Sequence, residues 1–157
     1  MSYVISDQVL RDGLKTIVHK GRFEIINKNP LMIFDGAHNK PAIENFINSV
    51  KMYYENEKKV VVISILKTKD YEMILKELLK DENAVFIFTD GNDKNKFVEK
   101  EVLIEIAKNY SRNENLYTIE LNNVVKFVKE KYSDRVTFFV GSFYVYGDVV
   151  KKVIAKN

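Results

Sequence analysis

Short apolar runs separated by stretches of helical period recur along this chain, and that alternation most limits the folds open to it. Leu31–Phe34 is a continuous apolar run and Val60–Leu66 a β-branched one, the pattern of strands covered on both faces. Ala84–Thr89, Leu116–Glu120 and Val136–Val140 read as further strands. Between them Ala42–Tyr54 reads as a helix with Ile43, Phe46, Ile47 and Val50 facing inward. Tyr71–Leu79 follows with Asp70 as its N-cap, then Phe97–Tyr110, then Val124–Tyr132 capped by Asn122 or Asn123. A last helix follows Gly141-Ser142 and ends near Ala155. The spacing predicts an α/β fold of three layers: a mostly parallel sheet with helices on both faces.

The opening of the chain departs from that rhythm. With Ser6 or Asp7 as cap, Val9, Leu10, Leu14, Ile17 and Val18 fall on one helical stripe, and Gly21 is a plausible stop. Arg22–Ile26 alternates as a strand, and Asn29-Pro30 turns the chain into Leu31–Asp35, which predicts an N-terminal β-hairpin. The 157 residues suit one domain with a real core. A net charge of +3, carried by scattered lysines interleaved with glutamates, gives no argument for a nucleic-acid partner. The absence of cysteine excludes disulfides and thiolate metal sites, and fits a cytoplasmic protein. No apolar stretch reaches the roughly 18–20 residues that span a membrane, and the N-terminus lacks the pattern of a signal peptide. Asp90–Lys96 is the most polar stretch and is expected to be a mobile surface loop.

Candidate chemistry gathers where strands end. Gly36 lets the chain turn off the strand Leu31–Asp35, Asn39 can cap the next helix, and Pro41 is tolerated in its first turn. Asp35 and His38 therefore sit at a carboxyl strand end beside a helix N-terminus, where open α/β sheets bind ligands and phosphates. Asp35 suits either a ligand contact or a local cap. His38 is one of only two histidines; the other, His19, is read as a structural residue at a helix end. Arg22, next to Gly21, is either a phosphate contact or a surface arginine. Lys69 and Asp70 follow the strand Val60–Leu66; Lys69 suits an anion, and Asp70 has a capping role. Gly141-Ser142 closes the last strand and offers N–H groups and a hydroxyl, or simply a tight turn.

Several familiar devices are absent. The chain has no GxxxxGK[ST] phosphate loop, no GxGxxG fingerprint, no GxSxG elbow and no histidine cluster for a metal. A strand edge suited to a nucleotide but without a phosphate loop has the look of half an active site.

With these residues in hand, the chain resembles the C-terminal domain of folylpolyglutamate synthase, often bifunctional with dihydrofolate synthase, in the Mur ligase superfamily. Gly21-Arg22-Phe23-Glu24 resembles the family's PGRFE, Asp35-Gly36-Ala37-His38-Asn39 its DGAHN, Leu66–Asp70 its LxDKD loop, and Gly141-Ser142-Phe143-Tyr144 its GSLY. The departures are Lys20 for proline, Lys40 inserted before Pro41, Thr68 for the first acid of DKD, and Phe143 for leucine. The resemblance covers residues 6–155 and implies a Rossmann-like Mur ligase C-terminal domain over 21–157. Residues 1–20 are then expected to be a linker helix from a missing N-terminal ATPase domain.

The implied activity is that of an ATP-dependent amide ligase adding L-glutamate to folates through an acyl phosphate, with or without dihydrofolate synthase activity. By resemblance, Arg22 and Asp35 bind ATP, the arginine through its phosphates and the aspartate through the nucleoside. His38 is the catalytic candidate, near the γ-phosphate and incoming glutamate. Lys69, Asp70 and Ser142 line the glutamate side. ATP and Mg²⁺ are the expected cofactors; the Mg²⁺ ligands and most contacts to folate or dihydropteroate are expected in the N-terminal P-loop domain, and no metal ligand is assigned here. The isolated domain is expected to be monomeric and inactive alone. Two other readings stay open: a stand-alone nucleotide-binding or regulatory α/β module, and another Mur-type peptide ligase.

Overall fold

Runs such as Val60–Ile63 and Val85–Phe88 carry no face that can be shown to water, and each is fully buried as a strand of one sheet. The computed structural model describes Ser6, Gln8, Val9 and residues 19–155; the helix expected over residues 6–20 lies almost wholly outside them. The strands are β1 (Glu24–Lys28), β2 (Leu31–Asp35), β3 (Lys59–Ile63), β4 (Val85–Phe88), β5 (Leu116–Thr118) and β6 (Val136–Val140). Their order across the sheet is β1-β2-β6-β3-β4-β5. β1 runs antiparallel to β2, and every other pairing is parallel. The expected hairpin and mostly parallel sheet are both present.

The helices are α1 (Lys40–Tyr54), α2 (Tyr71–Leu78), α3 (Lys100–Tyr110), α4 (Leu121–Lys131) and α5 (Tyr146–Ile154), with a short 3₁₀ turn at Phe143–Val145. Side-chain alternation along the strands divides the core in two. Ile33, Ile63, Phe86 and Phe138 pack with Phe46 of α1, Leu75 of α2 and Leu103 of α3. Phe34, Val62, Ile87 and Phe139 pack on the other face with Val124 of α4 and Val149 of α5. These are the three layers.

The last strand in sequence lies near the middle of the sheet. β6 separates β2 from β3, so α1 and α2 do not cover neighbouring strands. A groove of about 570 Å³ opens between them, floored by Val61 and Phe138. At its end Lys59 is buried, its Nζ 3.3 Å from Asp81 and donating to the carbonyls of Glu55 and Glu57. Each of its three donors thus meets an oxygen, which offsets the cost of burying them.

Several boundaries differ from expectation, each for a tertiary reason. β1 begins at Glu24 rather than Arg22, because Phe23 turns into the left-handed region at φ +44°. β3 ends at Ile63 rather than Leu66: the chain leaves the sheet to pair with the loop before α3, through Val98 N–H to Ile65 O and Lys67 N–H to Lys96 O. Phe97 is therefore not helical; it bridges Leu66 and is buried on the α4–α5 face, and α3 starts at Lys100. α4 starts at Leu121 rather than Val124, because the Leu121 side chain is buried, leaving Asn122 and Asn123 inside the first turn. The Asp90–Lys96 stretch is not simply a surface loop. Asp90 and Gly91 are buried, and Asn92 donates to Asp148 at 2.9 Å.

Candidate functional site

The place of β6 defines the site. α1 and α2, which follow β2 and β3, lie on one face, whereas α5, which follows β6, lies on the other. The chain thus leaves adjacent strand ends in opposite directions, which opens a crevice at their carboxyl ends. Asp35, Val140 and Ile63 stand side by side across β2, β6 and β3. What comes next on each strand forms the crevice: Gly36-Ala37-His38, Gly141-Ser142 and Ser64 onward.

Asp35 is held by backbone. Its Oδ1 accepts the Ala37 N–H at 2.8 Å and its Oδ2 the Phe23 N–H at 2.9 Å. Burial pushes its carboxyl above the ordinary aspartate value of 3.8; the two N–H bonds and the nearby Arg22 charge pull the other way without winning. A second tie, from Gly36 N–H to Gly21 O at 2.8 Å, fastens the Gly21–Phe23 turn against the same strand end. Arg22 is exposed at the tip of that turn. His38 is half-buried, with Nδ1 2.7 Å from Gly36 O. A carbonyl only accepts, so Nδ1 carries a hydrogen, and in the neutral ring Nε2 is then the acceptor. Asn39 caps α1 by accepting the Ala42 N–H, with Pro41 in the first turn, as its residue type predicts.

The β6 turn packs against both of these segments. Gly141 adopts φ +108°, and a Cβ there would lie 2.5 Å from Ser64 O, so only glycine lets β6 and β3 close together. The buried Ser142 side chain accepts the Tyr144 N–H at 3.2 Å and starts the 3₁₀ turn. Phe143 then lays its ring over Gly21 and Gly36; a Cβ on Gly36 would lie 3.0 Å from that ring, and one on Gly21 would collide with it. Arg22, Asp35, His38 and Ser142 therefore belong to turns in direct contact. Lys69 and Asp70 lie beyond the carboxyl end of β3, on the same edge. Asp70 caps α2 through Met73 N–H, and among the described residues no hydrogen bond or ion pair joins either residue to the Arg22–Asp35 turns. Nor do the described residues gather three or more His, Asp or Glu side chains that would hold a metal.

Two participants escape a reading of the sequence. Glu24 accepts the Gly21 N–H at 2.6 Å and the Tyr146 hydroxyl at 2.9 Å. The local signal is a carboxylate in register with Phe34, on the strand face that packs on α5. Tyr146 gives no local signal. Further along the edge, buried Lys100 meets Glu120 at 2.8 Å, Glu101 at 3.2 Å and buried Asp90 at 3.6 Å, joining the ends of β4 and β5 to α3.

Comparisons with known proteins identify the family and the fold. Residues 21–143 match the family described as Mur ligase, glutamate ligase domain. Dihydrofolate synthase/folylpolyglutamate synthase of Bacillus subtilis is 28% identical over 150 residues, which are 95% of this chain and 34% of that protein. A folylpolyglutamate synthase structure from Thermotoga maritima superposes with TM-score 0.75 at 28% identity, covering 96% of this chain and 34% of the other. An Escherichia coli FolC structure in complex with DHPP and ADP gives TM-score 0.77 at 24% identity, covering 95% of this chain and 34% of the other. The chain thus spans about a third of the length of each, and the last of these likenesses is one of fold. Among the described residues no helix is long and apolar enough to cross a membrane.

Proposed function

Because the chain belongs to the Mur ligase, glutamate ligase domain family, we propose that it is the nucleotide- and glutamate-facing wall of an ATP-dependent ligase that adds L-glutamate to folates. The observation that carries this reading is the contact of three turns at the switch of the sheet: Gly21–Phe23, Asp35–His38 and Gly141–Phe143. In the reaction, a carboxylate of the folate or pteroate substrate takes the γ-phosphoryl group of ATP, giving an acyl phosphate and ADP. The amine of glutamate attacks the acyl carbon, the C–O bond to phosphate breaks, and an amide and inorganic phosphate result.

Arg22, exposed and always charged, binds the phosphates of ATP. Asp35 has lone pairs beyond the two that accept backbone N–H groups, and these accept the nucleoside hydroxyls. His38 presents Nε2 to the γ-phosphate and the incoming amine, since its other nitrogen is occupied. Lys69, Asp70 and Ser142 line the glutamate side. The described residues do not fit a Mg²⁺ site; its ligands and the phosphate loop belong to an N-terminal P-loop domain. The enzyme is a cytoplasmic monomer that uses folate or dihydropteroate with glutamate.

An NMR titration of this 157-residue chain with ATP tests the reading. ATP should shift the amide resonances of residues 21–24 and 35–38, and glutamate those of 67–70 and 141–144. Asp35→Ala should remove the nucleotide response and leave the rest of the spectrum folded. ATP responses lying elsewhere, or surviving in Asp35→Ala, would overturn it.

A further inference from the structure

Arg22 sits on a turn closed by its own N–H, which donates to the His19 carbonyl at 3.1 Å. Gly21 adopts φ +69°, and Phe23 adopts φ +44°, a region that side chains with a Cβ rarely occupy. Glycine takes such a φ freely, but the Phe23 bend beside the arginine persists only where further contacts over-determine it. Three such contacts are present. Asp35 takes the Phe23 N–H, the Gly21 carbonyl takes the Gly36 N–H, and Glu24 takes the Gly21 N–H at 2.6 Å.

The third contact has a support that the others lack. The same Glu24 oxygen accepts the Tyr146 hydroxyl at 2.9 Å. Tyr146 is the first residue of α5, just past the turn that Ser142 begins. Its ring is fixed from two sides, stacked on Phe143 with centroids 5.3 Å apart and 9° between planes, and edge-on to Phe34 at 5.1 Å. Phe143 in turn covers Gly21 and Gly36. A chain of contacts thus runs from Ser142 through Phe143 and Tyr146 to Glu24, and ends on the amide beside Arg22.

We propose that Glu24 and Tyr146 are positioning residues for Arg22: the Tyr146 hydroxyl orients the Glu24 carboxylate, which holds the Gly21–Phe23 turn in the conformation that aims the guanidinium at the phosphates of the nucleotide. The inference rests on the reading of Arg22 as a phosphate contact. It adds that the turn after β6, assigned to the glutamate side, also sets the arginine on the phosphate side.

The test compares ATP with adenosine, which lacks the groups Arg22 binds, by titration of this chain. Tyr146→Phe keeps both ring contacts and removes only the hydroxyl. It should weaken ATP binding by roughly threefold to tenfold, the range for one hydrogen bond, and leave adenosine binding unchanged. In an Arg22→Ala background the same substitution should add nothing, because its effect passes through the arginine. Glu24→Gln, which keeps the shape of the side chain, should show the same contrast between the two ligands. Equal weakening of ATP and adenosine by Tyr146→Phe makes the hydroxyl merely structural and overturns the proposal. So does wild-type ATP binding in Tyr146→Phe when Arg22→Ala has lost it. If Arg22→Ala itself leaves ATP binding intact, the reading of Arg22 fails, and the positioning proposal falls with it.

Discussion

Asp35 shows how one side chain can fasten two separate turns to a strand end. Its two oxygens tie the Gly21–Phe23 turn and the Gly36–Ala37 turn to the end of β2, yet burial raises its pKa above the ordinary 3.8. The folded protein therefore holds this proton more tightly than the unfolded chain does. Ionising Asp35 costs stability, and its favourable contribution is lost as pH rises from the ordinary aspartate value through the folded one. A carbon-detected NMR titration should give an Asp35 midpoint above 3.8. Arg22→Ala should move it higher still, because the neighbouring positive charge lowers it; a midpoint at or below the ordinary value would contradict the balance described. His38 makes a simpler case. Its Nδ1 bond to Gly36 O predicts the Nε2-unprotonated tautomer of the neutral ring, readable from ring nitrogen shifts.

Elements are joined at their carboxyl ends by contacts that tolerate little change. Lys100 opens α3, where the helix dipole disfavours a cation, but Glu120, Glu101 and Asp90 surround it and raise its pKa, the Glu120 hydrogen bond most of all. Lys100→Met should cost about 3 kcal/mol, because it strands the buried Asp90 charge. Chemical denaturation of the variant beside the parent chain measures the loss. Gly141→Ala should be comparably harmful, by about 2–3 kcal/mol, since it combines a left-handed φ with a Cβ against the Ser64 carbonyl. The same contacts show what a sequence discloses. Asn39 and Asp70 are legible as caps because the N–H each one satisfies lies three residues away. The starts of α3 and α4 are not, because burial of Phe97 and Leu121 decides them against equally good local signals. The Asp35–His38 turn is local and readable; the Glu24–Tyr146 bond spans 122 positions and has no local pattern.

At the scale of the whole molecule, the candidate site is a crevice that lies open along one edge of the sheet. The crevice at the end of β6 brings together an arginine, an aspartate, a histidine and a serine, but the chain has no phosphate loop and its described residues no metal cluster. The purified chain should therefore bind nucleotide weakly and show neither ATP hydrolysis nor glutamate ligation in coupled assays. Measurable turnover by this chain alone would contradict the one-wall account. Alternation of strands and helices made the layers readable, because period and length are local properties. Strand order was not readable, because β6 pairs with residues about a hundred positions upstream, Met32–Asp35, as well as with Lys59–Ile63.

That central place of β6 also governs how the chain can be made. While a ribosome is still extending it, β1–β2 and β3–β4–β5 exist as separate fragments, each with a bare inner edge that only Val136–Val140 can close. Long-range parallel pairing of this kind is slow and leaves unpaired strands at risk of aggregation. Gly141 and Ser142 arrive with the strand that completes the sheet. Nascent fragments that stop short of it have neither a finished sheet nor the crevice at its strand ends, so the candidate site and foldedness are acquired in the same step.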